Sequence, residues 1–217
     1  MVLQSQNHGF IFENSVRQII FDLPVETNNT DKHDIPKQKN KYDNNENCSI
    51  KTTNSLTIYC GDILRFLNYN FLEKNTIIII KYKQTDTEKI VKTIYEINYN
   101  KECYNLLLGN LPIKIIEDYV KNVKSIPKHI KGEEAKQIFN YLEEKKKLKK
   151  QYTNILQINP KVDSSQSRVQ CSIQNFENDL KDFIKYKSSY DTPNLIRGKL
   201  IVNKIKSCKR HRNKKLK

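Results

Sequence analysis

A mixed α/β fold, with a central mixed β-sheet flanked by helices, is what this sequence predicts, and three observations carry it. Thr76 to Tyr82 (Thr-Ile-Ile-Ile-Ile-Lys-Tyr) is dominated by β-branched residues, as expected of a strand buried on both faces. Lys89 to Asn98 alternates in polarity, and the polar segment Gln84–Glu88 between the two runs makes them a hairpin. Gly9 to Leu23 carries apolar residues at 12, 16, 19, 20 and 23, the spacing of one helix face, and Pro24 ends it.

The remaining elements follow in order. Asp34-Ile35-Pro36 is a short strand fragment, and Lys37 to Asn47 is so polar that it predicts a mobile loop. Ser49 to Thr53 alternates as a strand, Asn54-Ser55 breaks it, and Leu56 to Cys60 resumes the alternation. Gly61-Asp62 marks a turn, with Asp62 suited to cap a helix through Ile63 to Leu67. Helices are predicted over Lys101 to Leu108, Ile113 to Val123 and Glu133 to Leu156. Pro160 to Arg168 reads as a loop, Val169 to Ile173 as a strand and Asn175 to Tyr186 as a helix.

At 217 residues the chain is long enough for one sizeable core, with or without an appendage. The predicted organisation is a core over 1–125, a helical and strand extension over 126–203 packed on it, and a basic mobile tail over 204–217. The formal net charge is +15; eight Lys or Arg and no acid lie between Lys204 and Lys217, which leaves +7 on the rest. A basic body with a more basic tail suits a polyanionic partner. No stretch approaches the roughly 18 apolar residues of a membrane span, and Met1 to Phe10 lacks the apolar centre of a signal peptide. The five cysteines, at 48, 60, 103, 171 and 208, form no Cys-x-x-Cys pair, which argues against structural zinc and for a reducing, intracellular, cytoplasmic setting. Abundant Lys, Asn, Ile and Tyr point to an AT-rich genome, so part of the charge carries no functional information.

Chemistry gathers between His33 and Thr53, where Asp34 and Lys51 fall on neighbouring short strands. Cutting a phosphodiester needs a divalent cation, an in-line water and neutralisation of the transition-state charge. Mg²⁺ takes one or two carboxylates and fills its other positions with water and phosphate oxygens. Asp34 supplies one carboxylate, the Ile50 backbone carbonyl a second oxygen, and Lys51 a cation to orient water and offset phosphate charge. Glu13 on the preceding helix is a further ligand, direct or through water. Each residue alone has a plainer reading: Asp34 ends a loop, Lys51 is a solvated strand residue, and Glu13 with Arg17 is an exposed helical pair worth a few tenths of a kcal/mol.

Together these residues resemble the PD-(D/E)xK nuclease superfamily, and within it small type II restriction endonucleases of bacterial or viral type. Gly9-Phe10-Ile11-Phe12-Glu13 and Ser49-Ile50-Lys51-Thr52-Thr53 carry the resemblance, which covers about the first third of the chain. It implies a restriction-endonuclease-like fold, Mg²⁺ as cofactor, double-stranded DNA as substrate, and Lys51, Asp34 and Glu13 as catalytic residues. The metal ligands it implies are Asp34, Glu13, the Ile50 carbonyl and, through water, Ser49. The departures are that Asp34 precedes Ile-Pro instead of following Pro, and that Ser49 stands where the family has an acid. If the target is two-fold symmetric, a homodimer is expected. A viral enzyme of this type would work in its host's cytoplasm.

Arg168 and Gln170, at the start of a strand, are suited to base edges, since Arg pairs with guanine and Gln with adenine in the major groove. Lys81 and Lys83 on one strand face are further candidate DNA contacts. Lys145 to Lys150, five lysines in six residues, is either a solvated helix face or a surface that tracks a nucleic-acid backbone. The alternative to an enzyme is a non-catalytic basic nucleic-acid-binding protein; a third reading is a structural protein whose charge reflects genome bias alone.

Overall fold

The computed structural model describes residues 4–25, 32–163 and 167–206, with side chains from residue 10 onward. In chain order the elements are α1 (Gln4–Ser15), continued by a π-helical turn (Val16–Ile20), β1 (Glu46–Thr53), β2 (Ile58–Asp62) and α2 (Ile63–Leu67). There follow β3 (Lys74–Gln84), β4 (Glu88–Asn98), α3 (Lys101–Leu108), α4 (Ile113–Ser125), α5 (Glu133–Ile138) and α6 (Tyr141–Gln151). The chain closes with β5 (Gln157–Val162), β6 (Ser167–Ile173), α7 (Phe176–Asp179), β7 (Ile184–Lys187), β8 (Leu195–Ile196), β9 (Lys199–Leu200) and β10 (Lys204–Lys206). This is an α+β chain, and the helices predicted at 101–108 and 113–123 and the 76–98 hairpin are all present.

Two compact units divide the residues, and neither is continuous in sequence. The first draws on Met1–Ser55, Thr76–Asn98 and Ile184–Lys217, the second on Leu56–Asn75 and Tyr99–Phe183. The expected divisions at 125 and 203 are therefore not where the units part. The reason is strand pairing: β7 and β10, from the end of the chain, both add to the outer side of β4, so segments remote in sequence share one sheet. Lys204–Lys206, expected to begin a mobile tail, is strand β10; residues 207–217 lie outside the described residues.

In the first unit the sheet runs β1-β3-β4-β10, with β7 also on β4. Alternation puts Ile78 and Ile80 on one face of β3, where they join Phe12, Val16 and Ile20 of the first helix, Ile35, Cys48, Ile50, Ile94 and Ile196 in a single buried cluster. The apolar stripe predicted at 12, 16, 19, 20 and 23 is thus the face that seals this core. Lys37–Asn47, expected to be mobile, is instead organised around Asn40, which is itself buried. Its Nδ2 donates to the Glu46 carbonyl (3.0 Å) and carboxylate (2.9 Å), and its Oδ1 accepts from the amides of Tyr42 and Asp43. A polar run can be ordered when its amides find partners that its composition does not reveal.

The second unit holds the three-stranded antiparallel sheet β2-β6-β5. Val169, Cys171 and Ile173 are fully buried on one face of β6, and α4 packs against that strand. Pro160, read as loop, lies within β5; that strand is an edge, where a missing amide costs no ladder hydrogen bond. The helix expected over 133–156 is broken at Phe139, which is extended, and restarts because the Asn140 side chain accepts from the Glu143 amide as an N-cap. The helix expected over 175–186 is only α7 and a short 3-10 turn before β7 begins. Asp62 caps α2 as predicted, accepting from the Arg65 amide at 3.0 Å.

Candidate active site

β1 is an edge strand, and the residues beside its outer edge are 34 to 36. Ile35 and Cys48 form a single antiparallel bridge, exchanging backbone hydrogen bonds of 2.9 and 2.8 Å. The next amide along the edge, that of Ile50, is taken by the Asp34 carboxylate, which substitutes for a backbone carbonyl. In the other direction the next ladder amide is that of Lys37, and it donates to the Asn47 side-chain carbonyl at 2.8 Å instead of to the backbone of β1. A one-residue bridge closed by a side chain thus replaces the short strand expected at 34–36, and it aims the Asp34 carboxylate at β1.

Within a strand the N–H and C=O of one residue point to the same edge, so the Ile50 carbonyl faces the same way as the amide that Asp34 accepts from. Lys51 folds back to this edge. Its Nζ donates to the Ile50 carbonyl at 3.1 Å and lies 3.7 Å from Asp34 Oδ2, with 23% of the Lys51 and 19% of the Asp34 side chain exposed. The structure therefore brings together Asp34, the Ile50 carbonyl and Lys51.

A carboxylate and a carbonyl oxygen are ligand types that Mg²⁺ takes; here the Lys51 ammonium lies against both, and Ile50 is 5% exposed. Among the described residues, no group of three or more His, Cys, Asp and Glu side chains is assembled as a metal cage. Glu13 is half-buried in the last turn of α1, a helix that packs on β1. Ser49 shares the Lys51 face of β1 by alternation and is only 4% exposed.

Arg17 is the functional candidate that sequence reasoning missed. Expected as an exposed partner of Glu13, it is only 1% exposed, in the π-helical turn, and donates from Nη1 to the Asp34 backbone carbonyl and from Nε to the Pro24 carbonyl at 3.4 Å. Asp34 is thereby held at both ends, its carbonyl by Arg17 and its carboxylate by Ile50 and Lys51. The available signal was its position between the core residues Val16 and Ile20.

The other face of β1 is also charged. Glu46 accepts from Arg197 Nη2 (2.9 Å), Thr76 Oγ1 (2.5 Å) and Asn40 Nδ2 (2.9 Å), while Arg197 Nε donates to Glu96 at 2.6 Å. The Arg197 guanidinium also lies over the rings of Phe21 and Tyr42, 5.2 and 5.3 Å from their centroids. Burial raises the Glu46 carboxyl pKa, but the hydrogen bonds from Thr76 and Asn40 and the charge of Arg197 outweigh it and hold the group below its ordinary value. Burial first, and the Glu46 charge second, push the Cys48 thiol far up, so it stays protonated and unreactive.

Lys81 is half-buried and Lys83 exposed on β3. Arg168 and Gln170 are half-buried on β6, in the second unit. The lysine run of α6 pairs within its own helix, Lys146 with Glu143 and Lys147 with Glu144, as a solvated face does. No helix among the described residues is long and apolar enough to cross a membrane. Compared with family models, curated proteins and solved structures, the chain matches none of them.

Proposed function

We propose that this chain is a Mg²⁺-dependent endonuclease that hydrolyses double-stranded DNA, with a PD-(D/E)xK-type site and the habit of a type II restriction enzyme. The observation that carries the reading is the β1 edge, where Lys51 Nζ stands 3.1 Å from the Ile50 carbonyl and 3.7 Å from the Asp34 carboxylate. Mg²⁺, when bound, lowers the pKa of a coordinated water and neutralises phosphate charge. Asp34 and the Ile50 carbonyl are the ligands this chain offers, with Glu13 and Ser49 acting through water. The Ile50 amide orients the Asp34 carboxylate, and the Lys51 ammonium offsets charge on the scissile phosphate. Lys81, Lys83, Arg168 and Gln170 contribute DNA contacts, and a homodimer reads a two-fold symmetric target.

Incubation of plasmid and phage DNA with Mg²⁺ tests the proposal. Discrete fragments from the wild type, lost in both Lys51→Ala and Asp34→Ala, are expected; binding without cutting under any divalent metal would sink the catalytic reading. One observation favours a second reading, a non-catalytic nucleic-acid-binding protein: Ser49, where the family has a carboxylate, is buried and a poor metal ligand.

A further inference from the structure

On the open side of β1 the Ile50 amide and carbonyl each have a side-chain partner. The amide donates to the Asp34 carboxylate, and the carbonyl accepts from Lys51 Nζ at 3.1 Å. A lysine closing an exposed strand edge is a common structural device, and on that plain reading its role ends there. The same ammonium, however, lies 3.7 Å from Asp34 Oδ2, beyond hydrogen-bond length, so the carboxylate holds it by charge. One cation is thus shared by two oxygens that come from separate segments of the first unit.

Both oxygens are fixed without help from Lys51. Asp34 is tied through its carboxylate to the Ile50 amide and through its carbonyl to the buried Arg17, and the Ile50 carbonyl belongs to a strand paired with β3. The lysine is the movable member, a long side chain facing a carboxylate that is itself partly exposed. Such a pair contributes little to stability, so the ammonium can leave while the edge stays folded. Asp34 and the Ile50 carbonyl are also the oxygens this chain offers to Mg²⁺ in the reading above. Mg²⁺ takes its oxygens at about 2.0–2.1 Å. An ammonium 3.1 and 3.7 Å from those oxygens would stand only a few ångströms from such an ion, where two positive charges repel.

We propose that Lys51 is the resident cation of the β1 edge: its ammonium competes with a divalent metal for Asp34 and the Ile50 carbonyl, and the metal is taken up only as Lys51 swings off them. The inference rests on the metal site of the reading above and adds a regulation of that site. The displaced ammonium is the one assigned there to the scissile phosphate. Lys51 therefore opposes metal uptake and assists the chemistry, so its removal should move the two in opposite directions.

The test is titration of Mn²⁺ into the full chain without DNA, followed by loss of the free-Mn²⁺ electron paramagnetic resonance signal. Lys51→Met, which keeps the stem and removes the charge, should bind Mn²⁺ about 5- to 150-fold more tightly than wild type. Lys51→Gln, which keeps a donor for the Ile50 carbonyl, should do the same, and it carries the test if the Met variant fails to fold in thermal melts. Lys51→Arg, which keeps the charge, should bind no more tightly than wild type. Adding Asp34→Asn to either neutral variant should abolish the gain. Equal Mn²⁺ affinity in wild type and both neutral variants would overturn the inference, as would weaker binding in them, no binding in any of them, or a gain that survives Asp34→Asn. Loss of stability in Lys51→Met with unchanged metal affinity would leave Lys51 as an edge-closing residue only. DNA cutting that needs Mg²⁺ and Lys51, with metal affinity indifferent to Lys51, would remove this inference and leave the proposed function standing. Tighter metal in the neutral variants of a chain that cuts no duplex would do the reverse.

Discussion

The two sides of β1 carry ion pairs of opposite kinds. On one side Glu46 and Arg197 are 8% and 12% exposed, joined by contacts of 2.9 and 3.1 Å and enclosed by Thr76, Asn40, Glu96 and two aromatic rings. On the other, Asp34 and Lys51 meet at 3.7 Å, about one fifth exposed. The difference separates a pair built to hold the fold from one whose groups remain accessible to an incoming ligand. Arg197 bears this out at the backbone: with Gly198 it turns the β8–β9 hairpin at φ +48°, a conformation a non-glycine residue adopts only when its surroundings impose it.

Breaking each side should give opposite outcomes. The largest effect expected is on activity: Lys51→Ala should lower turnover on duplex DNA by about 10²–10⁴-fold. Its unfolding free energy should fall by no more than about 1 kcal/mol, measured by urea titration, because a partly exposed pair contributes little to stability. Next comes Arg197→Met, which takes the guanidinium from two largely buried carboxylates, Glu46 and Glu96; a loss of about 3–5 kcal/mol in the same titration is expected. Asn40→Ala removes the donor shared by the Glu46 carbonyl and carboxylate and should cost about 1–3 kcal/mol. An Asn40→Ala protein as stable as wild type would mean that the 37–47 loop does not depend on this residue.

The smallest effect is a pH dependence. The Glu46 carboxyl is held below its ordinary value of 4.5 in the folded chain, so the unfolded state binds its proton more readily. The stabilisation it contributes is complete above that value and is lost as pH falls through the lower, folded pKa. Glu46→Gln should flatten the stability profile below about pH 4.5, seen as melting temperatures that converge with wild type on acidification; a parallel offset at every pH would show that the charge of Glu46 is not the source.

Much of the architecture was legible in the sequence because periodicity is local. The 76–98 hairpin, the stripe on the first helix, the helices at 101–108 and 113–123 and the Asp62 cap all follow from spacing within a dozen residues. Asp34 and Lys51 were legible as candidates because each sits on a short segment of strand character, with a turn between them. What failed depended on side-chain hydrogen bonds, which leave no apolar period. Lys37–Asn47 looks unstructured because Asn40 orders it from within, through the Glu46 carbonyl and carboxylate, and Arg17 looks exposed because its acceptors are backbone carbonyls beyond its own helix.

By itself, then, the sequence determined which segments alternate, which repeat at helical spacing, and that one acid and one lysine flank a turn. Only the tertiary structure decided that the acid's carboxylate takes the Ile50 amide, that Arg17 secures the same residue from behind, and that Glu46 finds Arg197 151 residues away. The physical reason is range. Backbone propensity and apolar period act between near neighbours, whereas a buried charge is decided by whichever remote segments the strand order β1-β3-β4-β10 brings alongside it.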